Sequence, residues 1–174
     1  MTSNAPALWK APALLANLDK VSDSSKIISN ALQLRPREQS QILSNFDAEN
    51  YEIASAFVWM RTMALLKKQL SSLGLEFIAE LLQRPDIDEY SEPNTVISDG
   101  EAISLANDLG IITKTQTLRL MQSQATISHF ASSGVDLEDE IDVQMTKEEA
   151  ISCLRVCVQG VLGHEKVSVA EDFK

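Results

Sequence analysis

The chain has 174 residues, enough for one domain with a real core and cramped for two. With 25 acidic against 15 basic residues its formal net charge is -10, a surface that repels a phosphate backbone and disfavours general nucleic-acid binding. Only 6 Gly and 5 Pro interrupt a sequence rich in Ala, Leu, Ser, Gln and Glu, which favours helices over a many-turned sheet.

In chain order, Leu8 to Leu18 is a short apolar segment that reads as an arm, with Trp9 as its anchor. Ser24 to Leu32 and Pro36 to Phe46 read as two short helices, the second with Pro at the favoured first position. Asp47 is placed to cap a long helix running to about Ser72, and Gly74 to close it. Leu75 to Arg84 predicts a further helix, stopped by Pro85. Asp86 to Ile97 is polar and aperiodic and reads as a surface loop.

Three capping boxes follow: Ser98-Asp-Gly-Glu101, Thr113-Lys-Thr-Gln116 and Thr146-Lys-Glu-Glu149. In each, a hydroxyl accepts from a backbone N–H while the acid or amide reaches back. Gly110 and Gly163 are the stops of the first and last of these helices. A fourth box, Ser168-Val-Ala-Glu171, opens a helix with no room to form, so the polypeptide is expected to continue past Lys174 or to dock its tail on a partner. No strand-like alternation and no internal repeat stands out.

These elements predict an all-α, compact helical bundle built on two antiparallel helix pairs plus short N-terminal helices. Residues 1–46 form the N-terminal arm and short helices, 47–163 the bundle and 164–174 the tail. On the last helix Ala150, Ile151, Leu154, Cys157, Val158, Val161 and Leu162 form one buried stripe. On the long helix Ile53, Ala56, Phe57, Met60 and Ala64 form one stripe, while Val58, Trp59, Met63, Leu65 and Leu66 fill other faces. A helix apolar nearly all round is central to a bundle or sits in an interface. Trp59, Met63 and Leu66, with Trp9, are therefore the expected contact residues for a protein partner or a second copy. Arg61 interrupts that surface, either reaching a carboxylate with its stem packed or serving a site between helix pairs.

Cys153 and Cys157 lie four apart on one helix, without disulfide geometry, and imply no oxidising compartment. A metal would need two more ligands, and neither His129 nor His164 has the spacing, so no metal and no cofactor is expected. The acidic run Asp136, Glu138, Asp139, Glu140 and Asp142 reads as a loop laid over the bundle with its charges outward. Met1-Thr-Ser-Asn-Ala-Pro6 lacks the start of a secretory signal, and no apolar stretch is long enough to span a bilayer, so the expected setting is cytoplasmic and away from membranes.

The stretch from Ser98 to Gly163 runs helix, turn, helix ending in Gln124-Ala-Thr-Ile-Ser-His129, acidic loop and a last amphipathic helix. This layout resembles the C-terminal half of the HEPN superfamily of small α-helical domains. The resemblance implies an Arg-Asn-x-x-x-His ribonuclease motif near the end of the second of these helices, metal-independent and working at a dimer interface on RNA. Of that motif only His129 matches; Gln124 stands at the Arg position and Ala125 at the Asn position. Gln124 supplies no positive charge for the developing transition-state anion. The resemblance therefore implies a degenerate, non-catalytic or weakly catalytic module of the kind found in toxin–antitoxin and antiviral defence assemblies. The alternative is an endoribonuclease in which His129 works with Arg61 or Arg119 as a displaced cation, which keeps RNA open as a ligand. A third reading is a helix-turn-helix DNA-binding regulator, from the spacing of Ala106 and Gly110. Lys114 and Arg119 are the only cations of its second helix, which makes DNA a poor ligand for this chain alone.

Overall fold

The computed structural model describes residues 9–10, 13–132 and 143–166. The expected all-α bundle is what these residues form, with eight α-helices among them. A 3-10 helix at Ala13–Lys20 leads into α1 (Ser24–Ile28), α2 (Pro36–Asp47), α3 (Tyr51–Ser71) and α4 (Leu75–Leu82). A single turn, α5 (Pro93–Val96), precedes α6 (Asp99–Asp108), α7 (Lys114–Ser132) and α8 (Lys147–Cys157). The last helix runs on as a π-helical turn at Val158–Leu162. A two-residue antiparallel bridge then joins β1 (Trp9–Lys10) to β2 (Glu165–Lys166).

Local signals set most helix starts. Ser98 Oγ accepts from Glu101 N at 3.1 Å and Glu101 returns to Ser98 N at 3.0 Å. Thr113 with Gln116, and Thr146 with Glu149, close the same reciprocal pair. Asp47 does not cap the long helix. It is the last residue of α2, and Glu49 turns the chain at φ 60 before α3 begins behind Asn50. The polar segment 86–97 is also more than a surface loop: Ile87 and Ile97 are buried and α5 packs on α3.

Helix α3 is the centre of the molecule. It packs against α2, α5, α6, α7 and α8, and most extensively against α8; its contact with α4 is slight. The second hub is α8, where Ala150, Ile151, Cys153, Leu154, Val156 and Cys157 are all buried. The stripe expected on that helix is inside, joined by Cys153 and Val156.

The N-terminal segments cover this hub. Leu15, Leu18, Ile27, Ile28, Ala31, Leu34, Ile42 and Phe46 belong to the same hydrophobic core as α3 and α8. Polar ties fix their position. Gln159 Nε2 donates to Leu15 O at 3.0 Å, Arg155 Nη2 to Val21 O at 2.6 Å, and Gln33 N to Leu162 O at 2.9 Å. Residues 13–46 are thus a layer of the bundle. Among the described residues no helix is long and apolar enough to cross a membrane. The tail signal Ser168 to Glu171 and the acidic run Asp136 to Asp142 lie outside the described residues, as does the side chain of Trp9.

Gly163 ends the last helix for a reason unrelated to left-handed backbone. A Cβ there would sit 2.6 Å from Leu15 Cδ2, 2.7 Å from Val158 O and 3.1 Å from Asn30 O. Glycine lets the N-terminal layer close on the π turn. Gly163→Ala is expected to destabilise the fold by about 1–3 kcal/mol, the ordinary range for overpacking against backbone. Urea denaturation checks this, and a variant as stable as the parent would show that the layer yields without cost.

Candidate functional site

Trp59, Met63 and Leu66 do not face a partner. All three are buried, Trp59 at 5% and Met63 at 2% exposure, in the chain's own core. The reason is a polar junction at the start of α6. Trp59 Nε1–H donates to Asp99 Oδ2 at 2.9 Å, and Lys67 Nζ lies 2.8 Å from Asp99 Oδ1. Lys67 Nζ also donates to Asn94 O at 3.4 Å. Helical side chains lean towards the N-terminus, so Lys67 reaches back along α3 towards the turn that carries Trp59. Asp99, the first residue of α6, accepts from both and sits at the positive end of its own helix.

This junction lets an indole N–H and an ammonium enter the interior with partners, which their burial requires. Asp99→Ala removes the carboxylate that serves both groups and should cost about 3 kcal/mol, because it leaves the buried ammonium of Lys67 with only the Asn94 carbonyl. Adding Lys67→Met should recover most of that loss. Urea unfolding of the single and double variants measures both; equal stability of Asp99→Ala and the parent would contradict the arrangement.

With Trp59 turned inward, the outward face of α3 is the stripe Ile53, Phe57, Met60 and Ala64. Ile53 is 59% and Met60 63% exposed, while Phe57 and Ala64 are half-buried along the same line. Arg61 borders it, half-buried, with Nε 2.5 Å from Glu38 Oε2. The other oxygen of Glu38 accepts from Arg35 N at 3.0 Å, so one carboxylate ties the start of α2 to α3. Of the two roles open to Arg61, reaching a carboxylate with its stem packed is the one observed. Exposed Lys68 follows the stripe one turn on, while exposed Glu49 lies off the helix, in the turn before Asn50.

The catalytic candidates are dispersed. His129 is exposed on the outer face of α7, on the same side as exposed Leu118 and Ala125, so that stripe faces outward. The imidazole stands edge-on to the neighbouring ring of Phe130 at 5.0 Å between centroids. Arg119 precedes it by ten residues on one continuous helix, roughly 15 Å along the axis. Arg119 instead approaches Asp19, at 3.8 Å. Arg61 is on α3 with Glu38. The contacts these three side chains make are with Glu38, Asp19 and Phe130, not with one another.

Arg119 does line a groove of about 580 Å³ between α7, α8 and the 3-10 helix, with Asp19, Ser123, Glu148, Cys153 and Arg155. Its rim mixes both charges. Cys153 at its edge is buried, and its hydrogen bond with Cys157, together with desolvation, pushes its thiol well above the ordinary range. That thiol stays protonated and is a poor nucleophile.

His164 is a polar residue whose role the sequence alone did not suggest. It is buried beside the π turn, its ring Nε2 2.7 Å from Gln159 O, and its backbone carbonyl accepts from Gln33 Nε2 at 2.7 Å. Burial lowers its pKa below the ordinary imidazole value, which favours the neutral ring. Its position just past Gly163 was the one available signal, since that glycine marks where the N-terminal layer closes. No family model, curated protein or solved structure matches the chain.

Proposed function

We propose that this chain is a non-catalytic helical interaction module that engages a protein partner through the outer face of α3. The observation that carries the reading is the stripe Ile53, Phe57, Met60 and Ala64, with Ile53 and Met60 exposed and Phe57 and Ala64 half-buried, on a helix whose other sides are largely covered. Single exposed apolar residues are ordinary on a protein surface; an aligned series over three turns is the feature of a docking face. Elsewhere, exposed Phe77 and Leu81 on α4 cover about one turn, and exposed Leu118, Met121 and Ala125 on α7 about two. Extent favours α3.

The dispersal of the candidate cations supports the non-catalytic half of the reading. An imidazole that handles a proton in phosphodiester cleavage needs charge stabilisation beside the phosphate. His129 has Gln124 and Ala125 on its own helix where the HEPN motif has Arg and Asn, and Arg61 is committed to Glu38. On this proposal the chain is a degenerate HEPN-like module whose task in a larger assembly, such as a bacterial defence or toxin–antitoxin system, is contact.

Met60→Glu tests the docking face, because Met60 is exposed and its replacement leaves the core intact. Immobilised wild-type protein is expected to retain a stoichiometric binding protein, whether another chain or a second copy, that Met60→Glu of equal helical content loses. Identical retention by both would remove α3 as the docking face.

A further inference from the structure

Helix α4 is apolar at six of its eight positions, yet only Ile78 is buried. Leu75, Ala79 and Leu82 are half-buried against the core, while Phe77 and Leu81 are each 44% exposed. A spacing of four sets Phe77 and Leu81 in one ridge, and exposed Glu76 and Glu80 form the ridge beside it. From these adjacent ridges we propose that the outer face of α4 is a docking site for a cationic amphipathic helix of another protein. The site is separate from the α3 face and does not depend on it.

Charge selects the occupant. Residues 75–92 hold six acidic residues against one basic, a net charge of -5, half of the chain's -10. The base, Arg84, is committed within the fold: its Nη1 donates to Val96 O and to Glu101 Oε1, each at 2.8 Å, and its other amine pairs with Asp86. Glu76, Glu80, Asp88, Glu89 and Glu92 form no ion pair among the described residues. The turn that follows α4 is fixed by its own hydrogen bonds. Asp88 Oδ1 accepts from Tyr90 N at 2.9 Å, Asp88 N donates to Ser91 Oγ at 3.0 Å, and neighbouring Ile87 is buried. This turn holds Tyr90 88% exposed, a ring that gives contact area at low ordering cost.

A second copy would bring the same acidic face, and nucleic acid or an anionic bilayer carries the same sign, so like charge opposes all three. A helix with apolar side chains on one face and Lys or Arg along its flank satisfies both ridges at once. Its apolar side chains cover Phe77 and Leu81, and its cations meet Glu76 and Glu80. Rim carboxylates act mainly on encounter and salt dependence, while the apolar ridge holds the partner in place.

Fluorescence anisotropy of a labelled amphipathic helical peptide of Leu and Lys, titrated with the full-length protein at physiological salt, tests the site. Wild type is expected to bind it and to leave a Leu–Glu peptide of the same pattern unbound. Phe77→Gln/Leu81→Gln should weaken binding about tenfold and Glu76→Gln/Glu80→Gln about fivefold, each at unchanged helical content. Asp47→Asn/Glu148→Gln removes two exposed carboxylates at the opposite end of α3, near Tyr51 and Glu52. That end is roughly 30 Å from α4 along the helix, several Debye lengths, so binding should hold within about twofold. Equal loss in this control would mean that net charge alone attracts the peptide, and would overturn the site. A wild type that does not bind, or α4 variants that bind as wild type does, would overturn it too. Met60→Glu separates the two faces: retained binding supports α4, and loss there places the peptide on α3 and removes the α4 site while the docking reading stands.

Discussion

The packing of α3 on α8 is the constraint from which the rest of the fold follows. Each of these helices is apolar over most of its circumference, so neither can be satisfied by one neighbour. They bury one another, and neighbouring elements cover the sides that remain. Helices α6 and α7 cover α3 from one direction and α2 from another, while α1 and the 3-10 helix close over α8 and the π turn. The π turn rotates the final side chains relative to a regular helix, and Val158, Val161 and Leu162 stay buried through it. An N-terminal layer held by Gln159, Arg155 and Gln33 then ties the start of the described chain to its end.

What was legible in the sequence was what is decided locally. The boxes at Ser98, Thr113 and Thr146 form as their spacing predicts, because each reaches only three residues along the chain. The cap at Asp47 failed because Glu49 adopts a left-handed conformation that nothing in its residue type announces. On α3 periodicity separated the faces and misassigned them. When two faces of a helix are both apolar, spacing cannot say which is inside. Packing on α8 and its neighbours settles it, and Asp99, 40 residues beyond Trp59, gives the indole and Lys67 their partners on the inner side while Met60 stays outside. Such long-range polar contacts leave no periodic trace.

For the functional candidates the same lesson holds with the sign reversed. His129, Arg61 and Arg119 were grouped by chemistry, and three separate environments hold them: the outer face of α7, the α2–α3 contact and the rim of a groove. Arg61 acts as a structural tie through Glu38, in keeping with a long side chain that packs its stem and pairs its head. The surface stripe of α3 has no such structural employment, which is why the docking proposal rests there.

Two methionines one turn apart on α3 test this assignment of inside and outside most directly. Met60 is 63% exposed and Met63 only 2%. Under limited peroxide in dilute solution, peptide mass spectrometry should find Met60 converted to its sulfoxide while Met63 stays reduced until the protein unfolds, since a buried thioether is shielded from the oxidant. Oxidation of Met63 ahead of Met60 in the folded protein would turn the helix round, and with it both the core and the docking face described for it.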